Sequence, residues 1–142
     1  MEKLLTIGIT THNSHLFVSE LLFTLKQNFE FNENLKDVIE VIIYDDNSFD
    51  ETIELLKKYE NIFKITYNKN QNGTPSIGRN EILRCAKSKY ILFMDGDDNF
   101  VCTLTELVEE LKTKDLDFIT SSVKKILSDG KIGNSPFIYD QK

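Results

Sequence analysis

Tyr90-Ile91-Leu92-Phe93-Met94-Asp95-Gly96-Asp97-Asp98 is an apolar run of strand length that ends in three carboxylates around one glycine. A short apolar run closed by turn residues reads as a buried strand. The glycine lets the flanking carboxylates turn toward one point beyond the strand's carboxyl end. Two more runs upstream have the same form. Val38 to Tyr44, rich in β-branched residues, runs into Asp45-Asp46-Asn47-Ser48, and Leu4 to Thr10 runs into Thr11-His12-Asn13.

Between these runs the period changes to that of a helix. From Ser14 to Gln27, Phe17, Val18, Leu21, Leu22 and Leu25 recur on one helical face. Ser48 and Glu51 have the spacing of a capping box for a second helix, and Thr103 and Glu106 repeat it for one running through Leu111. Ile62 to Tyr67 reads as a shorter strand. Asn70-Gln71-Asn72-Gly73 has turn chemistry, and Thr74-Pro75 sets an N-cap before a proline at the first helical position. That helix carries Ile77, Ile82, Leu83 and Ala86. Leu116 to Thr120 is expected to be a fifth strand, and Ser128-Asp129-Gly130 to turn a hairpin between Val123–Leu127 and Ile132–Ile138.

Alternating strands and helices over 142 residues predict one α/β domain, residues 1–142, with a mostly parallel sheet and helices on both faces. In such sheets ligands bind beyond the carboxyl ends of the strands. The strand order 3-2-1-4 brings the two acidic clusters to one crevice.

Composition narrows the function. Seventeen basic against twenty-three acidic residues leave a net charge of −6, and the only adjacent basic residues are two pairs, Lys57-Lys58 and Lys124-Lys125, which argues against a nucleic-acid partner. The apolar runs are too short to span a membrane, and the N-terminus lacks the pattern of a signal peptide, so the cytoplasm is the expected location, or its membrane face in a longer protein. Cys85 and Cys102 are neither a disulfide framework nor a zinc site and are expected to be small buried hydrophobes.

Taken singly, each acidic turn is as readily a helix cap as a site. Five carboxylates at one sheet edge repel one another unless a cation is present. Mg2+ or Mn2+ suits such an edge, because it takes one or two carboxylates and completes its shell with water and substrate phosphate.

Four stretches together carry a resemblance. Residues 7–13, IGITTHN, resemble the strand and Pro-Thr-Tyr-Asn opening of family-2 inverting glycosyltransferases. Residues 42–52, IIYDDNSFDET, are similar to that family's V-V-D-D-x-S-x-D-x-T. Residues 70–80, NQNGTPSIGRN, resemble N-x-G-x-x-x-A-R-N, and residues 90–98, YILFMDGDD, resemble Y-I-x-F-L-D-x-D-D. They keep family order across residues 4–100.

The resemblance implies a Rossmann-like GT-A fold that binds a nucleotide sugar, here the donor-binding half. It implies that Thr10 and His12 frame the nucleobase, histidine standing where the family usually has tyrosine. Asp46, with Asp45 beside it, would accept the imide proton of a uracil, which points to a UDP-sugar. Arg79 would meet the diphosphate near a helix start, Asp95 would face the ribose, and Asp97, with Asp95, would hold Mn2+ or Mg2+. Asp98 would support them. The implied reaction is transfer of the sugar to an acceptor hydroxyl of a glycan or cell-envelope polymer. The family's general base lies well downstream of the Asp-x-Asp. Asp115, Asp117, Asp129 and Asp140 are available there, none in a matching motif, so the expectation is a chain that binds donor but lacks the base and the acceptor half.

Two other classes use similar parts. A nucleotidyltransferase shares the fold and the metal but carries a Gly-rich basic signature at the first strand, where Gly8 stands alone. A non-catalytic nucleotide- or metal-binding module of the phospho-receiver kind needs acidic residues after strand one, where this chain has Thr-Thr-His-Asn.

Overall fold

The computed structural model describes residues 2–70, 73–100, 102–114, 116–117, 124–126 and 129–134. Strands β1 (Leu5–Thr11), β2 (Ile39–Asp46), β3 (Lys64–Asn68) and β4 (Tyr90–Asp95) form one parallel sheet in the order β3-β2-β1-β4. This is the expected order. Its register sets Thr10 between Tyr44 and Asp95, and pairs Asp46 with Asn68.

Strand alternation divides the core in two. Leu5, Ile7 and Ile9 of β1, with Ile39, Val41 and Ile43 of β2, face one side. Against them pack α1 (His15–Phe31), α2 (Leu35–Val38), α3 (Thr52–Lys57) and α5 (Leu104–Thr113). The helix α1 buries Val18, Leu21, Leu22, Leu25 and Phe29, each contributing about 1.5–3 kcal/mol of apolar burial. On the other face Ile42 and Tyr44 meet Ile82 of α4 (Pro75–Cys85), which alone among the described elements covers that side.

Local chemistry explains most helix ends. Thr74 Oγ1 accepts the Ile77 N–H, with Pro75 at the first helical position, and Thr103 and Glu106 form the expected capping box. The capping box expected at Ser48 and Glu51 is not formed. Ser48 Oγ donates instead to Asp45, and the Thr52 N–H at the start of α3 is met by Asp50 Oδ1 at 2.9 Å. The short α2 was not expected, since one turn carries no readable period.

Beyond the sheet, β5 (Lys124–Ile126) and β6 (Ile132–Asn134) pair antiparallel, as the hairpin reading required. Of the expected fifth strand only Leu116 and Asp117 are among the described residues, and neither is in a strand. Cys85 is half-buried but Cys102 is exposed, which corrects the expectation that both are core residues. No helix among the described residues is long and apolar enough to cross a membrane.

Candidate functional site

The carboxyl ends of β1, β2 and β4 open into a cleft of about 720 Å³, and Thr10, His12, Asp46, Arg79, Asp95 and Asp97 all line it. Strand alternation decides which carboxylates reach it. Ile42, Tyr44 and Asp46 share the α4 side of β2, whereas Val41, Ile43 and Asp45 share the other.

Asp45 is therefore fully buried. Its Oδ1 accepts from Ser48 Oγ at 2.6 Å and its Oδ2 from the Ser48 N–H at 3.0 Å. Burial raises its pKa, and the two Ser48 bonds pull it back in part. Asp45 thus holds Ser48 of the β2–α3 loop and does not line the cleft, where the sequence had placed it beside Asp46.

Asp46 reaches the cleft. Its Oδ1 accepts from Asn68 Nδ2 at 2.9 Å, and its backbone carbonyl lies 2.7 Å from His12 Nδ1. Gly73 presses directly upon it: a Cβ there would lie 1.4 Å from Asp46 Oδ1. Burial raises the pKa of Tyr44, and the Asp46 and Glu81 carboxylates add to it, so this phenol stays neutral beneath α4.

Two loops form the wall at this end and are tied together. Asn13 N–H donates to Ser48 Oγ at 2.9 Å, Phe49 N–H to Asn13 Oδ1 at 2.8 Å, and Ser14 N–H to Thr52 Oγ1 at 3.1 Å. Asn13 and Asn47 take positive φ values, 46° and 57°, in the left-handed region that asparagine tolerates better than most side chains.

The other end is cationic and acidic at once. Arg79 lies one turn inside α4 rather than at its first residue, and Pro75 from that first turn also lines the cleft. Arg79 Nη2 donates to Asp95 Oδ1 at 2.7 Å, and Thr10 Oγ1 donates to the same oxygen at 3.3 Å. Asp97 is exposed in the cleft. Asp98 turns back, its Oδ2 accepting the Asp95 N–H at 3.2 Å, so it shapes the turn without lining the cleft.

The donor set suits one kind of ion. No three groups among the described residues could cage a metal by themselves. Asp95 and Asp97 at an open cleft fit Mg2+ or Mn2+, which complete their shells with phosphate oxygens and water.

Of the four downstream aspartates, Asp117 and Asp129 are described and neither lines the cleft, nor do Glu106, Glu109 and Glu110 of α5, while Asp115 and Asp140 lie outside the described residues. Sequence reasoning missed Asn13, Asn68 and Gly73. Asn13 stood in a quoted motif without a role, Gly73 was read as turn chemistry alone, and Asn68 gave no signal beyond following a strand.

Known proteins place this architecture. Residues 6–136 match the pattern of Glycosyl transferase family 2. The poly(ribitol-phosphate) β-N-acetylglucosaminyltransferase TarS of Staphylococcus aureus is 36% identical over 96 residues, 66% of this chain and 16% of that protein. The poly(ribitol-phosphate) β-glucosyltransferase of Bacillus spizizenii is 37% identical over 99 residues, 66% of this chain and 15% of that protein. The chain thus spans about a sixth of the length of these relatives. The crystal structure of TarS with UDP-GlcNAc superposes with a TM-score of 0.65 at 31% identity, covering 78% of this chain and 31% of TarS as solved. The mannosyltransferase PcManGT of Pyrobaculum calidifontis, solved with GDP-Man and Mn2+, gives 0.67 at 20% identity over 88% of this chain and 36% of its own, a likeness of fold alone. The sheet and its helices are the Rossmann-like GT-A arrangement, and the chain belongs to glycosyl transferase family 2.

Proposed function

We propose that this chain binds a UDP-sugar in the cleft between β1, β2 and β4, for transfer of the sugar to an acceptor hydroxyl. The observation that carries the reading is convergence: one cleft holds a carboxylate beside an imidazole at one end and an arginine with two carboxylates at the other. Asp46 accepts the uracil imide N–H, and Thr10 and His12 frame the base. Arg79 meets the diphosphate, and Asp95 and Asp97 hold Mn2+ or Mg2+, with Asp95 also toward the ribose. The ion, when bound, supplies Lewis-acid neutralisation of charge on the departing diphosphate.

In the transfer the acceptor oxygen bonds to the anomeric carbon as the bond from that carbon to UDP breaks. UDP leaves with the electron pair, and the hydroxyl proton goes to a general base. Neither Asp117 nor Asp129 lines the cleft, so we assign that base to a group outside the described residues. The acceptor is a glycan or cell-envelope polymer, a reading supported by the poly(ribitol-phosphate) acceptors in the names of TarS and its Bacillus counterpart. The donor reading is supported by the UDP-GlcNAc complex of TarS.

Calorimetric titration with UDP, CDP and GDP, each with and without MnCl2, tests this. The expected result is manganese-dependent binding of UDP, with GDP at least tenfold weaker because a purine cannot present a single imide at Asp46 in the same slot. Equal affinity for UDP and GDP refutes the uridine reading.

A further inference from the structure

Of the bonds that tie together the two loops at the base end of the cleft, Asn13 makes two, one from its backbone and one from its side chain. Its backbone N–H and both side-chain polar atoms are engaged with the far loop or with His12. The backbone N–H donates to Ser48 Oγ, Oδ1 accepts the Phe49 N–H, and Nδ2 lies 3.0 Å from His12 Nε2. These bonds determine one another. The Phe49 N–H can only donate, so the oxygen of the Asn13 amide must face it and the NH2 must face His12. His12 Nε2 must then be an acceptor, which places the ring proton on Nδ1. That proton donates to the backbone carbonyl of Asp46, which can only accept. A chain of hydrogen bonds thus runs from the amide of Phe49 through Asn13 and His12 to the residue that faces the base.

We infer that Asn13 is a positioning residue for the nucleobase: it fixes the tautomer and orientation of His12 and the spacing between the β1–α1 and β2–α3 loops. The inference rests on the donor-site reading above. Asn13 need not touch the ligand, since it acts through His12 and Asp46. Its left-handed backbone, φ 46°, is part of the device, because that conformation turns its side chain back across the gap between the loops.

Two substitutions separate the backbone from the side chain. Asn13→Gly keeps the left-handed conformation at no steric cost and removes both amide bonds. Asn13→Asp keeps the acceptor for Phe49 N–H but sets an oxygen, not a donor, against His12 Nε2. The chain has two histidines, His12 and His15, so 15N-histidine labelling yields two assignable rings, with His15 as internal control.

In the unsubstituted chain the His12 signals are expected to report the Nδ1–H tautomer. In Asn13→Asp, an acceptor replaces the donor opposite His12 Nε2, so the His12 signals are expected to depart from the unsubstituted pattern while those of His15 do not. Loss of two hydrogen bonds in Asn13→Gly is expected to weaken UDP binding about tenfold, with manganese-dependent binding of inorganic pyrophosphate unchanged. Asn13→Asp, which keeps the bond across the loops but not the donor to His12 Nε2, is expected to recover only part of the UDP affinity. An Nε2–H tautomer in the unsubstituted chain overturns the inference, as does an equal loss of UDP and pyrophosphate binding in Asn13→Gly, which indicates general disturbance. If the unsubstituted chain binds UDP no better than pyrophosphate, the base slot itself fails. If it prefers UDP and Asn13→Gly binds UDP equally well, the donor reading stands and the role of Asn13 does not.

Discussion

Gly73→Ala is expected to damage base recognition from a position that touches no base. The added Cβ would lie 1.4 Å from Asp46 Oδ1, 2.1 Å from its Cγ and 2.4 Å from its Oδ2. Ordinary carbon contacts begin near 3.5 Å, so the two must part by about 2 Å. Either the Asp46 carboxylate swings away from Asn68 Nδ2, or the turn before α4 withdraws with Asn70 and Pro75, which line the same cleft. In both cases the acceptor for the imide is misplaced. A lost charge-assisted hydrogen bond is about 1.5–3 kcal/mol, or roughly ten- to 150-fold in affinity for UDP. Calorimetry with UDP and MnCl2 measures it, with pyrophosphate as the control ligand. The coupling is itself a test: in an Asp46→Ala background the same substitution should cost UDP binding almost nothing, since its target is gone. Additive losses in the double variant, or UDP affinity within twofold of the original in Gly73→Ala alone, refute the argument.

Asp97→Asn should largely abolish manganese-dependent binding of UDP while leaving the thermal midpoint of the ligand-free chain nearly unchanged, since Asp97 is exposed; a large drop in that midpoint contradicts this. Arg79→Ala should act with opposite signs on two ligands. It frees Asp95 from its 2.7 Å ion pair and so tightens Mn2+ alone, measured by electron paramagnetic resonance, but weakens UDP with Mn2+; parallel changes refute it. Asp45→Asn should gain stability over the original chain as pH rises. The pKa of the folded carboxyl is raised above the ordinary 3.8 by burial, so its penalty is absent in acid and grows as pH climbs through the folded value. Urea unfolding from pH 3.5 to 7 reads the difference between the two proteins, and a difference that does not vary with pH excludes this role.

The sheet was legible because three apolar runs each ended in a polar cluster, and because only one strand order brings the acidic clusters together. The cleft followed from it. That Asp45 turns away from the cleft was legible in principle. Ile43 and Asp45 share one parity and Tyr44 and Asp46 the other, so one member of the pair had to turn toward the core. Once Asp45 is buried, Ser48 is drawn to it, and the capping box with Glu51 is lost to a stronger, charge-assisted partner. Gly73 and Asn13 were not legible in the same way. A turn glycine announces a turn, not what presses on it, and an asparagine after a strand does not reveal that two groups across a gap and its neighbour His12 engage it. Both roles depend on a loop whose neighbour comes from another part of the chain.

The helix α4, alone on the second face among the described elements, connects packing to the Arg79 end of the cleft. It lies close on the sheet because each side of the contact has a glycine set against side chains of the other, Gly8 of β1 against Ile82 and Gly78 of α4 against Tyr44 and Thr10. A Cβ at Gly8 would lie 2.6 Å from Ile82 Cγ2, and one at Gly78 would lie 2.8 Å from Tyr44 Cδ1 and 2.9 Å from Thr10 Cγ2. A side chain at either position must lift the helix or displace its neighbours. Arg79 follows Gly78 directly, and Thr10, which Gly78 rests on, donates to the same Asp95 oxygen that Arg79 holds. The depth at which α4 sits therefore sets the reach of the arginine. The residues that close the apolar contact between helix and sheet are, one position later, those that place positive charge against the acidic turn. In this chain the interval between core and site is a single peptide bond, and a substitution at Gly78 would act on donor binding through the position of α4 rather than through any contact with the donor.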